Sequence, residues 1–130
     1  MFRSFQNAVM KWAEECFTPR SNKDPANQQD RIQRFVEEAM ELAQSLDLPK
    51  DHAHDLVEYV YGRPKGEPFQ EVGGTIVTLS RLCSVFDIDL HTAAWTEIER
   101  ASQPEVMEKI RAKDRLKPKH SALPGKEPTP

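Results

Sequence analysis

At 130 residues and 14.9 kDa the chain has room for one domain, and 38% hydrophobic residues allow a modest core without surplus. Five Gly and ten Pro leave five windows free of both, 1–18, 26–48, 50–61, 75–103 and 105–117; these suit helices, exceed ordinary strands, and with no Asn-Gly or Asp-Gly dipeptide exclude an all-β fold. The net charge of -3 divides into -8 over residues 1–108 (11 Lys/Arg, 19 Asp/Glu) and +5 from Lys109 onward (seven against two), which excludes a uniformly basic nucleic-acid-binding domain.

The first window repeats apolar residues at Phe2, Phe5, Val9, Trp12, Ala13 and Cys16, the three-and-four spacing that predicts a helix burying one face. Residues 18–27 are a connector rich in turn formers. A second helix is expected over about 28–47, ending before Pro49. At roughly 100° per residue, Ile32, Phe35, Val36, Ala39, Leu42, Ala43 and Leu46 form its core face. Glu38, Glu41, Arg31, Arg34 and Ser45 make a stripe directly beside that face, and Glu37 points further from the core.

A shorter helix over about 51–61 carries Leu56, Val57, Val60 and Tyr61 as its apolar residues. After the loop Gly62 to Glu67, Pro68 opens a helix to about Phe86, with Val72, Ile76, Leu79, Leu82, Cys83 and Phe86 as its buried face. Glu71 sits at the edge of that face beside Thr75 and Thr78. A fifth helix is expected from Asp89 to Ala101 and a sixth from Pro104 to about Arg115. The fold class is therefore all-α, a helical bundle over residues 1–115. Residues 116–130, rich in Pro and Lys, form a disordered or extended basic tail that cannot bury enough to fold alone.

No apolar run approaches the roughly 18 residues of a spanning helix, and the N-terminus lacks the basic-then-apolar pattern of a signal peptide. Cys16 and Cys83 lie inside apolar helical patterns, where a thiol packs as a small hydrophobe. The expected compartment is the reducing cytoplasm, with no membrane partner.

Carboxylates at i and i+3 on a helix lie about 5–6 Å apart at Cβ and can reach one hard cation. Glu38 and Glu41 meet that description, and Glu71 holds the matching stripe on a second long helix. Packed antiparallel, the two helices place three carboxylates around one Mg²⁺, as helical bundles do for other metals. The competing reading is a solvated acidic face with no ligand role.

Val36-Glu37-Glu38-Ala39-Met40-Glu41-Leu42 also resembles the Glu-Glu-x-x-Glu motif of the MazG-like all-α nucleoside triphosphate pyrophosphohydrolases. Gln70-Glu71-Val72-Gly73-Gly74, about 30 residues later, falls where that superfamily carries Glu-x-x-Asp. The resemblance spans roughly residues 2–115, including Arg34-Phe35 before the first motif and the apolar run from Ile76 to Cys83. It implies Mg²⁺-dependent hydrolysis between the α- and β-phosphates of a (d)NTP, with Mn²⁺ a substitute metal. It further implies Glu38, Glu41 and Glu71 as metal ligands, Glu37 as a catalytic residue orienting water or an outer-shell group, and a homodimer or homotetramer.

The sequence departs from the superfamily at Gly74, where the pattern has Asp. Either three carboxylates and water suffice for Mg²⁺, with Glu67 or Glu58 as substitutes, or the chain is a non-catalytic nucleotide-binding or interaction module. Two glycines inside a helix cost roughly 1 kcal/mol each relative to alanine; close approach of another backbone or of substrate would supply a reason.

Trp12 is a candidate to stack a base and equally a core tryptophan. Arg31 and Arg34 share the acidic stripe and are candidates for phosphate contacts, although Arg34 to Glu38 is also an ordinary i,i+4 pair. The stretch from Lys109 through Arg111 to Arg115 and the tail lysines are candidates to close over a triphosphate or to extend over a neighbouring subunit, the competing reading being a solvated, mobile tail. His52 and His54, at i and i+2, do not face each other on a helix, so no histidine receives a metal role. Nucleic acid is not the expected partner.

Overall fold

In a computed structural model that describes residues 2–117 and Leu123, the chain runs through α1 (Phe2–Cys16), α2 (Pro25–Ser45), α3 (Lys50–Tyr61), α4 (Pro68–Val85), α5 (Leu90–Ala101) and α6 (Pro104–Leu116). No strand occurs among the described residues, so the all-α class holds. The expected disordered or extended tail falls largely on residues 118–122 and 124–130, outside the described part. Leu116 closes α6, and Lys117 follows it against the body of the domain.

Helices α2, α4 and α5 start where a side chain satisfies orphan N–H groups. Asp24 accepts from the Ala26 N–H at 3.1 Å, and Pro25 occupies the first turn of α2. That helix therefore begins three residues before the expected start: Asp24-Pro25 is the same Pro-in-first-turn signal that marks α4 and α6. Glu67 accepts from Phe69 and Gln70 at 3.1 and 2.9 Å, and Asp89 accepts from Thr92 at 2.6 Å.

The ends of α2 and α4 share one device. Asp47 (φ 68°) and Asp87 (φ 55°) adopt the left-handed conformation. The Leu48 and Ile88 N–H groups then reach back to the Ala43 and Cys83 carbonyls at 3.0 and 2.8 Å, the six-to-one bond of a Schellman ending. Aspartate tolerates this conformation better than most residues but less well than glycine.

Packing divides the molecule. α1, α5 and α6 lie against one another and bury Cys16, Ala101 and Met107. Phe5 meets Trp95 edge-on at 5.3 Å, and Trp12 meets Phe17 at 5.6 Å, the geometry favoured by the ring quadrupoles. Helices α2, α3 and α4 approach the rest less closely. Of the expected core face of α2, Leu42, Ala43 and Leu46 are half-buried while Ile32, Phe35, Val36 and Ala39 are exposed. All four expected core residues of α3 are exposed, as are Val72 of α4 and Phe86, which caps its end. The apolar periodicity identified the helices correctly; one chain does not cover these faces. No helix among the described residues is long and apolar enough to cross a membrane.

Candidate functional site

Arg31, Arg34, Glu37, Glu38 and Glu41 occupy consecutive turns of α2. Glu38 and Glu41 are exposed and make no hydrogen bond or ion pair among the described residues. Glu37 is engaged: its Oε2 lies 3.5 Å from Arg34 Nη1 and 3.3 Å from Lys117 Nζ. Arg34 thus pairs with Glu37 at i+3, not with Glu38 at i+4. The Lys117 side chain is only 10% exposed, so this contact between the end of α6 and the middle of α2 is largely screened from solvent.

Arg100, near the end of α5, contributes to the same field. Its guanidinium is held above the usual arginine range mainly by hydrogen bonds donated to Glu97 at 2.9 and 2.6 Å, with Glu38 adding a weaker attraction. The same bonds hold the Glu97 carboxyl below the usual carboxylate range. The central turns of α2 therefore present two exposed carboxylates, with Arg34 and Lys117 held on the adjoining Glu37 and Arg100 exerting a weak attraction on Glu38.

Glu71, on the first turn of α4, folds its side chain back over Gly66, where a Cβ would have to displace the carboxylate. Glu67, considered as a substitute ligand, spends both carboxylate oxygens on the N–H groups at the start of α4. Glu58 is exposed on α3. Among the described residues no three His, Cys, Asp or Glu side chains gather into a group able to hold a metal ion. Glu38 and Glu41 are one turn apart, whereas Glu71 is not assembled with them. Their oxygen donors suit Mg²⁺, which is held by one or two carboxylates and completes its shell with water.

The substrate-binding candidates separate. Trp12 donates its indole N–H to the Ala101 carbonyl at 2.9 Å, fastening α1 to the end of α5. It also lines, with Lys11, Trp95 and Gln103, a groove of about 390 Å³. Arg111 donates to the Cys16 carbonyl from Nε at 2.7 Å and to the Glu15 carbonyl from Nη2 at 3.0 Å. It caps the negative end of the α1 dipole. Arg111 also lines a second groove of about 400 Å³ with Asp114 and Arg115. Neither groove includes a motif carboxylate. Arg31 and Lys109 are exposed.

Burial pushes the Cys16 thiol up from its ordinary value, and its Sγ lies 3.9 Å from the Met107 carbonyl. Cys16 and Cys83 are both free and buried, as packed thiols should be. The cation missed by the sequence reading is Arg100, whereas Lys117 is one of the tail lysines. Lys117 meets Glu37 from 80 residues away, a separation at which no local spacing rule operates, and in the sequence it reads as the first basic residue of the tail.

Compared with protein-family models, with curated proteins and with solved structures, the chain matches none.

Proposed function

We propose that the chain is a Mg²⁺-dependent nucleoside triphosphate pyrophosphohydrolase that cleaves a (d)NTP to the (d)NMP and pyrophosphate, in a cytoplasmic house-cleaning role and as a homo-oligomer. The observation that carries the reading is the pair Glu38 and Glu41, exposed one turn apart on α2 within a Glu-Glu-x-x-Glu motif whose first member, Glu37, holds Arg34 and Lys117. Carboxylates suit a hard cation and the adjoining cations suit phosphate oxygens, so the surface has the mixed charge that a metal triphosphate requires.

When bound, Mg²⁺ supplies charge neutralisation and activation of water. Glu38 and Glu41 would hold it, Glu71, which is not assembled with them in this structure, would complete the set only if α4 were brought against α2, and Glu37 orients the neighbouring cations through its contacts to Arg34 and Lys117. Arg31 lies one turn before Arg34 and extends the cationic side of the site.

The second reading, a nucleotide-binding or interaction module without turnover, is favoured by Gly74, which brings no carboxylate to α4. Pyrophosphate release from a panel of (d)NTPs with Mg²⁺ separates the two. The expected result is turnover by the wild type and none by Glu41→Ala; a wild type no faster than that variant on every nucleotide rejects the hydrolase. Glu38→Gln is expected to abolish Mg²⁺ binding with the helical circular dichroism intact, and unchanged metal affinity removes Glu38 from the ligand set.

A further inference from the structure

The central turns of α2 are turned against their own apolar pattern. Over residues 31–40 the half-buried positions are Gln33, Arg34 and Glu37, whereas Ile32, Phe35 and Val36 are exposed. At roughly 100° per residue the two sets lie on opposite sides of the helix. Burial of an apolar face normally sets how a helix is rotated on its neighbours. In this stretch the buried side is polar.

The group that meets that side is Lys117, the residue that caps the end of α6. Its Nζ lies 3.3 Å from Glu37 Oε2, and Arg34 Nη1 lies 3.5 Å from the same oxygen. With its side chain 10% exposed, Lys117 is in the position where lysine is found only when its charge is paired. Helices α1, α5 and α6 pack on one another more closely than α2 packs on any of them. Among the ion pairs between described residues, Lys117 with Glu37 is the one that joins α2 to that cluster.

Over a turn or two a helix rotates as a unit, so fixing the direction of one side chain fixes its neighbours. Glu38 and Glu41 follow Glu37 by one and four positions. Their directions are set once Glu37 is held against the end of α6.

We propose that Lys117 is a positioning residue for the carboxylate motif: by clasping Glu37 it sets the rotation of α2 and so aims Glu38 and Glu41. The ammonium is the working group, because the stem alone offers Glu37 no partner. Glu37 is committed to the clasp, and the two exposed carboxylates beside it are left free. The consequence for Mg²⁺ rests on the reading above, whereas the clasp itself does not.

Amide hydrogen exchange of the full chain is the first test and involves no metal. Lys117→Met keeps a stem of similar length without the charge, and Lys117→Arg keeps the charge. Central α2 should exchange about tenfold faster in Lys117→Met and regain most of its protection in Lys117→Arg; equal protection in wild type and both variants overturns the proposal. Mg²⁺ affinity, measured by titration calorimetry, should weaken about tenfold in Lys117→Met and be largely restored in Lys117→Arg. A lysine that only fills space would not give that dependence on charge, and an affinity unchanged in Lys117→Met rejects the positioning role. Glu37→Gln and Lys117→Met should each lower the melting temperature, and together cost no more than the worse of the two; additive losses reject the clasp. Should the variants fail to fold, a carbodiimide applied to the wild type decides, since it joins an amine to a carboxylate in contact with it. An amide between Lys117 and Glu37 is expected, and its absence rejects the clasp. Protection of α2 that depends on Lys117, in a chain that neither binds Mg²⁺ nor releases pyrophosphate, rejects the metal reading and leaves the clasp standing.

Discussion

The two halves of the chain solve the same burial problem differently. In α1, α5 and α6 the contacts close within one chain: Trp12 bonds to the Ala101 carbonyl, Arg111 caps α1, and Cys16 and Met107 are buried between them. In α2, α3 and α4 the apolar faces are equally regular in sequence, yet Phe35, Leu56, Val60 and Val77 remain exposed. Helical periodicity states that a face will be covered and is silent on which molecule covers it. The motif carboxylates lie in this second half, so the surroundings of the candidate site depend on what completes it.

The comparison predicts unequal responses to mutation. Trp12→Ala removes a large ring and the indole bond to Ala101 from the closed half, and should lower the free energy of unfolding by about 3 kcal/mol. Denaturant unfolding followed by far-UV circular dichroism measures this. A loss below about 1 kcal/mol would show that the α1, α5 and α6 cluster is not the stable half, and the contrast would collapse.

A smaller and opposite effect is expected where α2 and α4 end. Asp47→Gly and Asp87→Gly place glycine at left-handed positions now held by aspartate and should each stabilise the fold by about 0.5 kcal/mol, the strain relieved exceeding the entropy added to the unfolded chain. Thermal melts of both variants test whether the two endings are equivalent. A loss of stability at either one would show that its aspartate side chain contributes more than the conformation costs.

These endings also show how far the sequence could be read. The windows free of proline and glycine located the helices other than α4, which runs through Gly73-Gly74 and was found by its apolar periodicity, and Pro68, Pro104 and Asp89 marked starts through rules that reach only one turn. Asp24-Pro25 carried the same signal and was absorbed into the connector. The left-handed Asp47 and Asp87 had no such mark, because aspartate also occurs freely in turns and caps. At the site, the side-by-side placement of Glu38 and Glu41 follows from helical pitch alone. The contacts of Glu37 with Lys117, of Arg111 with the end of α1 and of Trp12 with Ala101 span 80 or more residues. Tertiary packing decides them, and it gives Trp12 and Arg111 structural contacts within the closed half.

The smallest expected effect lies at the joint between the halves, where Asp89 starts α5. Its carboxyl sits below the usual carboxylate range, chiefly because it accepts the Thr92 backbone N–H, with the Thr92 side chain and His91 assisting. A carboxyl lowered in the folded state binds its proton less readily there than in the unfolded chain. Its contribution is therefore complete above the unfolded value of about 3.9 and is lost as pH falls through the lower folded value. Asp89→Asn keeps an oxygen acceptor for the cap and cannot titrate. At neutral pH the variant should retain the helical signal of the wild type. Between about pH 4 and pH 2 its stability should fall less steeply, by the share of one linked proton. Parallel slopes for the two proteins would mean that the Asp89 cap is as well formed in the unfolded chain as in the folded one, and that the joint between the halves has no electrostatic latch.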